Sequence, residues 1–286
     1  MALLSRKDVL RLKLSSIPAP LLRTFSSTYG INLKKATSII KTLVDRQINI
    51  NEVDQFINSE YSKRLEEEEA NRPKEEIISE LNKVDRFEWG VVQGQLDGKI
   101  QREYVRKFWR YDQVLREVEN RLYDSVRDYV ICTWYNHWST FILENLISRH
   151  PRIVPTLKNV KGIDLFFDGQ PFDLKVTYFP KDYNNDVTDV QRDPNTLAVW
   201  LYENQGTLRF GSDNRFFVIL HDVENPNESW KIKRDIDFVG EKINWFLDNE
   251  NVSSEEDQIV FTFGRQTYTA ITKVLLIFKS RQISGS

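Results

Sequence analysis

The sequence has little of what a disulfide, a zinc site or a membrane span requires. Its 286 residues include a single cysteine, Cys132, and three histidines. An internal disulfide is therefore excluded, and no cluster of Cys and His is available for zinc. No apolar run approaches the roughly 18 residues that a membrane-spanning helix needs, and residues 1–16 lack the unbroken apolar stretch of a signal peptide. These absences predict a cytoplasmic protein with no part in a membrane.

The chain also has almost no net charge, with 40 Lys and Arg against 42 Asp and Glu. That total hides a division along the sequence. Residues 1–50 carry nine bases and two acids, whereas residues 51–90 carry six bases and twelve acids. Because the two blocks nearly cancel, the total does not exclude a polyanionic partner such as a nucleic acid.

The length fits one large domain with an accessory domain, or two modest domains. Local charge and the pattern of apolar residues divide the chain into three segments. We predict a basic helical nucleic-acid-binding module in residues 1–60, an acidic helical connector in residues 61–101, and a folded α/β domain in residues 102–286.

The basic module is predicted to contain two short helices, the first closed by Gly30 and the second opened by Asn32 as its N-cap. Apolar residues at helical spacing form one face of the second helix: Leu33, Ala36, Ile39, Ile40 and Leu43. The bases on the opposite face are candidate DNA-binding residues: Lys34, Lys35, Lys41 and Arg46. The pattern resembles a SAP-type or helix-turn-helix unit over about 35 residues, and the alternative is a basic helical cap without a ligand.

A glycine-rich stretch at residues 87–100 reads as a strand or loop pair, and residues 102–150 read as a long helical region. Its aromatic residues include Trp109, Trp134 and Trp138, which favour a buried core at this spacing, with base stacking as the alternative. After Pro151 the chain alternates apolar strands, turns and helices, which predicts a mixed α/β fold with a central sheet.

A β-hairpin with opposed acids is the most informative feature. Asp168 and Gly169 form the strongest short-range signal for a two-residue turn. Counting outward pairs Phe167 with Gln170, Phe166 with Pro171, and Leu165 with Phe172. This register puts Pro171, which has no N–H, where the ladder requires none. It also places Asp164 directly opposite Asp173.

The opposed carboxylates need a compensating charge, because like charges on directly facing residues destabilise a sheet. Lys175 lies on the same face two residues beyond Asp173, opposite Gly162, whose missing side chain leaves room for a ligand. Two carboxylates suit a hard divalent cation such as Mg²⁺, and a nearby ammonium can orient a water or stabilise charge on a phosphate. The alternative is a surface hairpin in which Lys175 bridges the two acids as a salt-bridge cluster.

These residues resemble the PD-(D/E)xK nuclease superfamily. Asp164 is followed after a gap by Asp173-Leu-Lys175, and the order of helix, hairpin, helix and strand in residues 135–222 is similar. Ile163 stands where the motif has Pro, and the central acid is Asp. The resemblance implies a restriction-endonuclease-like α/β core with a central mixed sheet flanked by helices.

The resemblance also implies roles for individual residues. Asp164 and Asp173 would bind Mg²⁺, with Mn²⁺ as a substitute, and Lys175 would assist the attacking water. Glu144 occupies the place of a further acid that many members carry on the preceding helix, and its alternative is an exposed helix acid.

The sequence therefore predicts a Mg²⁺-dependent endonuclease acting on DNA. The resemblance suggests a type II restriction or phage-defence enzyme, in which a homodimer would cut both strands. Two alternatives stay open: a non-catalytic nucleic-acid-binding or scaffold protein, and a nuclease acting on RNA or branched DNA.

Overall fold

This computed structural model describes residues 3–87, 96–184, 186–204 and 214–280. The chain divides into two compact units. The sheet unit comprises Met1–Asn71 and Glu144–Ser286, and the helical unit comprises Arg72–Leu143. These units have other bounds than the three predicted segments, whose functional roles stay predictions.

The sheet unit begins with four helices: α1 (Arg6–Ser15), α2 (Ala19–Ser27), α3 (Ala36–Asp45) and α4 (Ile50–Asn71). Its later helices are the end of α8 (Tyr123–Ser148), then α9 (Val187–Arg192), α10 (Pro194–Asn204) and α11 (Ile236–Asn249), with a 3-10 segment at Pro226–Arg234. Its strands are β1 (Ile153–Val160), β2 (Ile163–Phe167), β3 (Gln170–Tyr178), β4 (Arg215–Asp222), β5 (Gln258–Phe263) and β6 (Gln266–Lys279).

Within the described residues, six strands form one mixed sheet in the order β1-β2-β3-β4-β6-β5. The first three strands run antiparallel to their neighbours, β3, β4 and β6 run parallel, and β5 pairs antiparallel with β6. The parallel strands are buried, as in β4, where Phe216, Phe217 and Val218 have no exposed surface. The predicted mixed α/β fold with a central sheet is confirmed.

The predicted hairpin register is confirmed for all three pairs that flank the turn: Phe167 with Gln170, Phe166 with Pro171, and Leu165 with Phe172. Asp168 and Gly169 have φ angles of 47° and 78°. Positive φ at both central residues is the requirement of a type I′ turn, and glycine adopts it without a steric penalty. The turn therefore fixes which residues of β2 and β3 face each other.

The N-terminal helices share one hydrophobic core with the first two strands. Side chains of α1 to α4 pack with Val154, Leu157, Ile163 and Phe166 of β1 and β2. Phe166 is fully buried and lies on the same face as Asp164, with the ammonium of Lys13 located 5.4 Å from its ring centre. The acidic face of the hairpin is thus covered near the turn by helices that also carry the basic residues.

Two details of the predicted basic module are wrong. The third helix begins at Ala36 with Lys35 as its N-cap, instead of at Asn32. The physical reason is Ile31, whose N–H and C=O are both held by Ser26. The next residues are then needed to connect the two helices, and Leu33 is exposed there instead of packing with the apolar face.

The helical unit contains α5 (Lys74–Asn82), α6 (Leu96–Ile100), α7 (Tyr111–Glu117) and the first part of α8, with π-helical turns at Gln101–Val105 and Val118–Leu122. The predicted strand or loop pair is wrong for residues 96–100, which are helical, and its residues 88–95 lie outside the described residues. The helix breaks after residue 105, and Trp109 is 83% exposed. The predicted burial of Trp109 is therefore wrong, because helical spacing does not continue through the break.

Among the helices of the described residues, none is both long enough and apolar enough to cross a membrane.

Candidate active site

The candidate site lies where β3 stops pairing with β2. The ladder between the two strands ends at Leu165 and Phe172. Beyond it, the N–H of Asp173 donates to the carbonyl of Asn214 at 2.9 Å, which starts the parallel pairing with β4. The N–H of Leu174 would face β2, and it donates instead to Oδ2 of Asp164 at 2.8 Å. We call this point, where β2 and β3 separate beyond Leu165 and Phe172, the fork. Here a side-chain carboxylate replaces a main-chain acceptor.

Asp173 lies between two cations. Its Oδ1 accepts from Nζ of Lys175 at 2.6 Å, and its Oδ2 is 3.5 Å from Nε of Arg215. The two cations differ in freedom: the Lys175 side chain is 42% exposed and that of Arg215 only 13%. The Arg215 guanidinium also lies 4.5 Å from the ring centre of Tyr202. Arg215 is thus largely buried between Asp173 and Tyr202, whereas the Lys175 side chain is partly exposed to solvent.

The β2–β3 ladder ends one pair before the predicted pairing of Asp164 with Asp173, but the two acidic side chains still interact. Partial desolvation raises the pKa of Asp164 above its usual value, and the nearby charge of Asp173 and a hydrogen bond with that side chain raise it further. The N–H of Leu174 and the charge of Lys175 act in the opposite direction. The raised pKa of Asp164 thus reflects desolvation first, with the neighbouring Asp173 as a smaller contribution in the same direction.

Glu144, near the end of α8, belongs to the same cluster. Its pKa is raised from 4.5 to about 6, first by desolvation and then by the charge of Asp164, while Lys175 lowers it. The structure thus brings Glu144, Asp164, Asp173 and Lys175 into one electrostatic neighbourhood. Their catalytic roles stay predictions.

Arg215 also belongs to this cluster, and the sequence suggests it only as one of several ordinary bases near the site that could contact phosphates, not as a neighbour of Asp173. It precedes an apolar strand, and one arginine at such a place is ordinary in a sequence. Its position follows from the parallel register that sets Asp173 beside Arg215 across β3 and β4. Only a prediction of that strand pairing would have identified it.

The four predicted DNA-binding residues are all exposed. Lys34 and Lys35 lie in the connection before α3, Lys41 lies on α3, and Arg46 follows it. Arg46 donates to the carbonyl of Tyr29 at 3.0 Å, which ties this end of α3 to the end of the preceding helix. Their exposure leaves them available to phosphates, and DNA binding stays a prediction.

The fit of the site to a divalent cation rests on two carboxylates. The negative charges of Asp164 and Asp173 repel each other when they lie side by side. A hard cation that prefers oxygen ligands reduces this repulsion. Mg²⁺ is commonly held by one or two carboxylates together with waters and substrate phosphates. In residues 3–87, 96–184, 186–204 and 214–280, no set of three or more His, Cys, Asp or Glu is arranged to hold a metal ion. The fit is therefore to a two-carboxylate site, and Glu144 as a ligand stays a prediction.

Comparisons of the chain with models of protein families, with curated proteins and with solved structures found no match.

Replacing Glu144 by Gln should stabilise the protein in metal-free buffer at a pH above the pKa of the Glu144 carboxyl. A carboxyl whose pKa is raised in the folded state supports folding when protonated, and that support is lost as pH rises through about 6. The rise of the pKa from 4.5 to about 6 corresponds to about 2 kcal/mol in the free energy of unfolding. Because the side chain is exposed to solvent, we expect about 1 kcal/mol. Denaturant unfolding of E144Q and the unmodified protein, at about pH 8 and about pH 4, measures the difference.

The matched control is Glu241→Gln, which changes an exposed glutamate of α11. It should alter the free energy of unfolding by less than about 0.5 kcal/mol at both pH values. An E144Q protein no more stable than the unmodified one at the higher pH would contradict the cluster's electrostatics.

Proposed function

We propose that this protein is a Mg²⁺-dependent endonuclease that hydrolyses phosphodiester bonds in DNA. Asp164 and Asp173 are the metal ligands, Glu144 is the third acid, and Lys175 orients the attacking water. The observation that carries the proposal is the fork between β2 and β3, where two interacting carboxylates and one partly exposed ammonium lie together.

The order of elements supports a restriction-endonuclease-like core. A helix ending at Ser148 precedes three antiparallel strands, two further helices follow, and β4 then pairs in parallel with β3. The resemblance of Asp164, Asp173 and Lys175 to the PD-(D/E)xK motif falls on the central hairpin of this arrangement. This topology leaves the edge of β3 open at the acids.

The chain's own residues have separable tasks in hydrolysis. A divalent cation bound there would neutralise the acids and withdraw charge from the phosphoryl oxygens. Lys175, once released from Asp173, presents three N–H donors to a water or to a phosphate oxygen. Arg215 stays beside Asp173 and holds that carboxylate in position. Glu144 accepts a proton more readily than an ordinary glutamate, since its pKa is about 6.

The proposal of DNA as substrate draws on the basic residues of the N-terminal helices and on the family resemblance. The exposed Lys34, Lys35, Lys41 and Arg46 supply charge for a phosphate backbone without reading its sequence. We propose a cytoplasmic type II restriction or phage-defence enzyme, and a homodimer would place two sites on the two strands.

A non-catalytic nucleic-acid-binding protein is the second candidate, because Asp173 already has two cationic neighbours. Lys175 and Arg215 together balance the charge of Asp173 and part of that of Asp164. In that case the acids stabilise the hairpin, and a metal has no place in the protein's action. A nuclease acting on RNA or branched DNA is a variant of the first candidate.

Incubation with supercoiled plasmid, single-stranded DNA and RNA, with Mg²⁺ or with a chelator, tests the proposal. We expect cleavage of DNA with Mg²⁺ and intact DNA with the chelator. Cleavage of RNA but not of DNA would show that the substrate is RNA instead of DNA. Cleavage in the presence of the chelator would contradict the metal site. Intact substrates under all conditions would favour the non-catalytic candidate.

A further inference from the structure

Residues 106–110 join two helical segments of the helical unit, and two aromatic side chains in or next to them are exposed. The π-helical turn Gln101–Val105 ends before them, and α7 begins at Tyr111. Trp109 is 83% exposed and Tyr111 is 73% exposed. Large flat rings at such exposure contribute little to folding, since burial is the source of their stabilising effect.

The same stretch carries an excess of positive charge. Residues 102–111 contain four bases and one acid. Arg106, Lys107 and Arg110 are all exposed. The guanidinium of Arg110 lies 4.8 Å from the ring centre of Trp109, and the ammonium of Lys107 lies 5.2 Å from that of Phe108. Rings and cations are therefore immediate neighbours in one short segment.

This clustering of rings and cations distinguishes the segment from an ordinary exposed tryptophan. Trp245 on α11 is 62% exposed, but its helix carries Asp237, Glu241 and Asp248 on its solvent-facing positions. The segment around Trp109 is instead positive, so it is complementary to an anion that also offers flat surfaces. Unpaired nucleotides combine both features, because each has a phosphate and a base with two open faces.

We propose that residues 105–111 are a binding site for unpaired nucleotides of a nucleic-acid strand. Trp109 and Tyr111 stack on bases, while Lys107 and Arg110 pair with phosphates. The site deepens the proposed nuclease function, on which it rests for the identity of the strand as substrate, and it assigns single-stranded or locally opened DNA to that substrate.

A single strand fits these residues better than an intact duplex or a lipid surface. Bases inside a duplex are stacked on each other and offer no face to Trp109. A membrane-binding helix presents one continuous apolar face, whereas cations here flank the rings on both sides in an irregular segment. Stacking on exposed rings is also tolerant of base sequence.

Fluorescence anisotropy of a labelled oligo-dT strand, with the full-length protein in a chelator, tests the site without cleavage. Trp109→Ala should weaken binding about tenfold, in line with the loss of one stacked base. Trp109→Phe keeps a ring and should bind nearly as well as the unmodified protein. Trp245→Ala is the matched control and should leave binding unchanged. A Lys107→Ala/Arg110→Ala protein should lower the slope of log affinity against log salt by about 1.4, since each single-strand phosphate contact contributes about 0.7.

The outcomes separate this site from the nuclease function. Trp109→Ala binding equal to the unmodified protein, or an equal loss in Trp245→Ala, would overturn the inference while cleavage by the unmodified protein persists. Binding to phosphatidylserine vesicles without binding to oligo-dT would overturn it in favour of a membrane surface. Ring-dependent binding of oligo-dT supports the site, even if no metal-dependent cleavage is found.

Discussion

Asp173→Asn should reduce Mg²⁺-dependent DNA cleavage by about a thousandfold or more, because metal-ion stabilisation of transition-state charge contributes several kcal/mol. The substitution keeps the shape of the side chain and removes its charge. Lys175 and Arg215 both form ion pairs with Asp173. Loss of the Asp173 charge therefore removes a proposed metal ligand and leaves the two cations without the carboxylate between them. The same variant should lose the increase in melting temperature that Mg²⁺ gives the unmodified protein.

The control for this variant is Asp235→Asn. Asp235 also pairs with a lysine, Lys279 at 3.0 Å, and its side chain is 41% exposed. It should keep both cleavage and the response to Mg²⁺. Binding of DNA in a chelator should survive in Asp173→Asn as well, since the predicted DNA-binding residues lie on other elements. Full cleavage by Asp173→Asn would show that the chemistry resides elsewhere.

Lys175→Ala should separate metal binding from catalysis. Its ammonium lies 2.6 Å from Asp173 and competes with any cation for that carboxylate. Removing it should leave the stabilisation by Mg²⁺ intact or larger, while cleavage falls about a hundredfold to ten-thousandfold, the range of positioned acid–base groups. The free energy of unfolding should change by less than about 1 kcal/mol, because the pair is partly exposed to solvent.

Lys279→Ala is the matched control, since it removes a lysine from a half-exposed strand ion pair of the same kind. Its cleavage rate should equal that of the unmodified protein. If Lys175→Ala loses the response to Mg²⁺ and cleaves normally, the roles assigned to the lysine and the acids are reversed. Plasmid cleavage rates and thermal shifts measured on the same preparations decide between these results.

The hairpin was predictable because its information is local. An Asp168-Gly169 turn fixes the register, and Pro171 agrees with that register independently. Once the turn is set, the alternation of a strand determines that Asp164, Asp173 and Lys175 share a face. The fork that makes the acids accessible was less predictable, since it depends on the pairing of β3 with β4 across an intervening pair of helices.

Three features were not predictable from the sequence: the burial of Phe166, strand β1 and the exposure of Trp109. Phe166 is on the acidic face by alternation, yet it is buried because the N-terminal helices fold onto β1 and β2. Strand β1 itself was not predicted, since Pro155 and Lys158 interrupt its apolar pattern. Trp109 has the spacing of a core residue but lies beyond a helix end. The deciding contacts of Phe166 thus involve residues far apart in the chain, whereas the exposure of Trp109 follows from a local helix end.

Calorimetric titration of Mg²⁺ into the unmodified protein and into an Asp164→Asn/Asp173→Asn protein tests the central claim most directly. The claim is that the hairpin acids hold a divalent cation and do not merely balance Lys175 and Arg215. We predict a saturable binding heat for the unmodified protein that is absent from the double variant, while both proteins unfold cooperatively. Equal heats in the two proteins, or no binding to the unmodified protein, would contradict it.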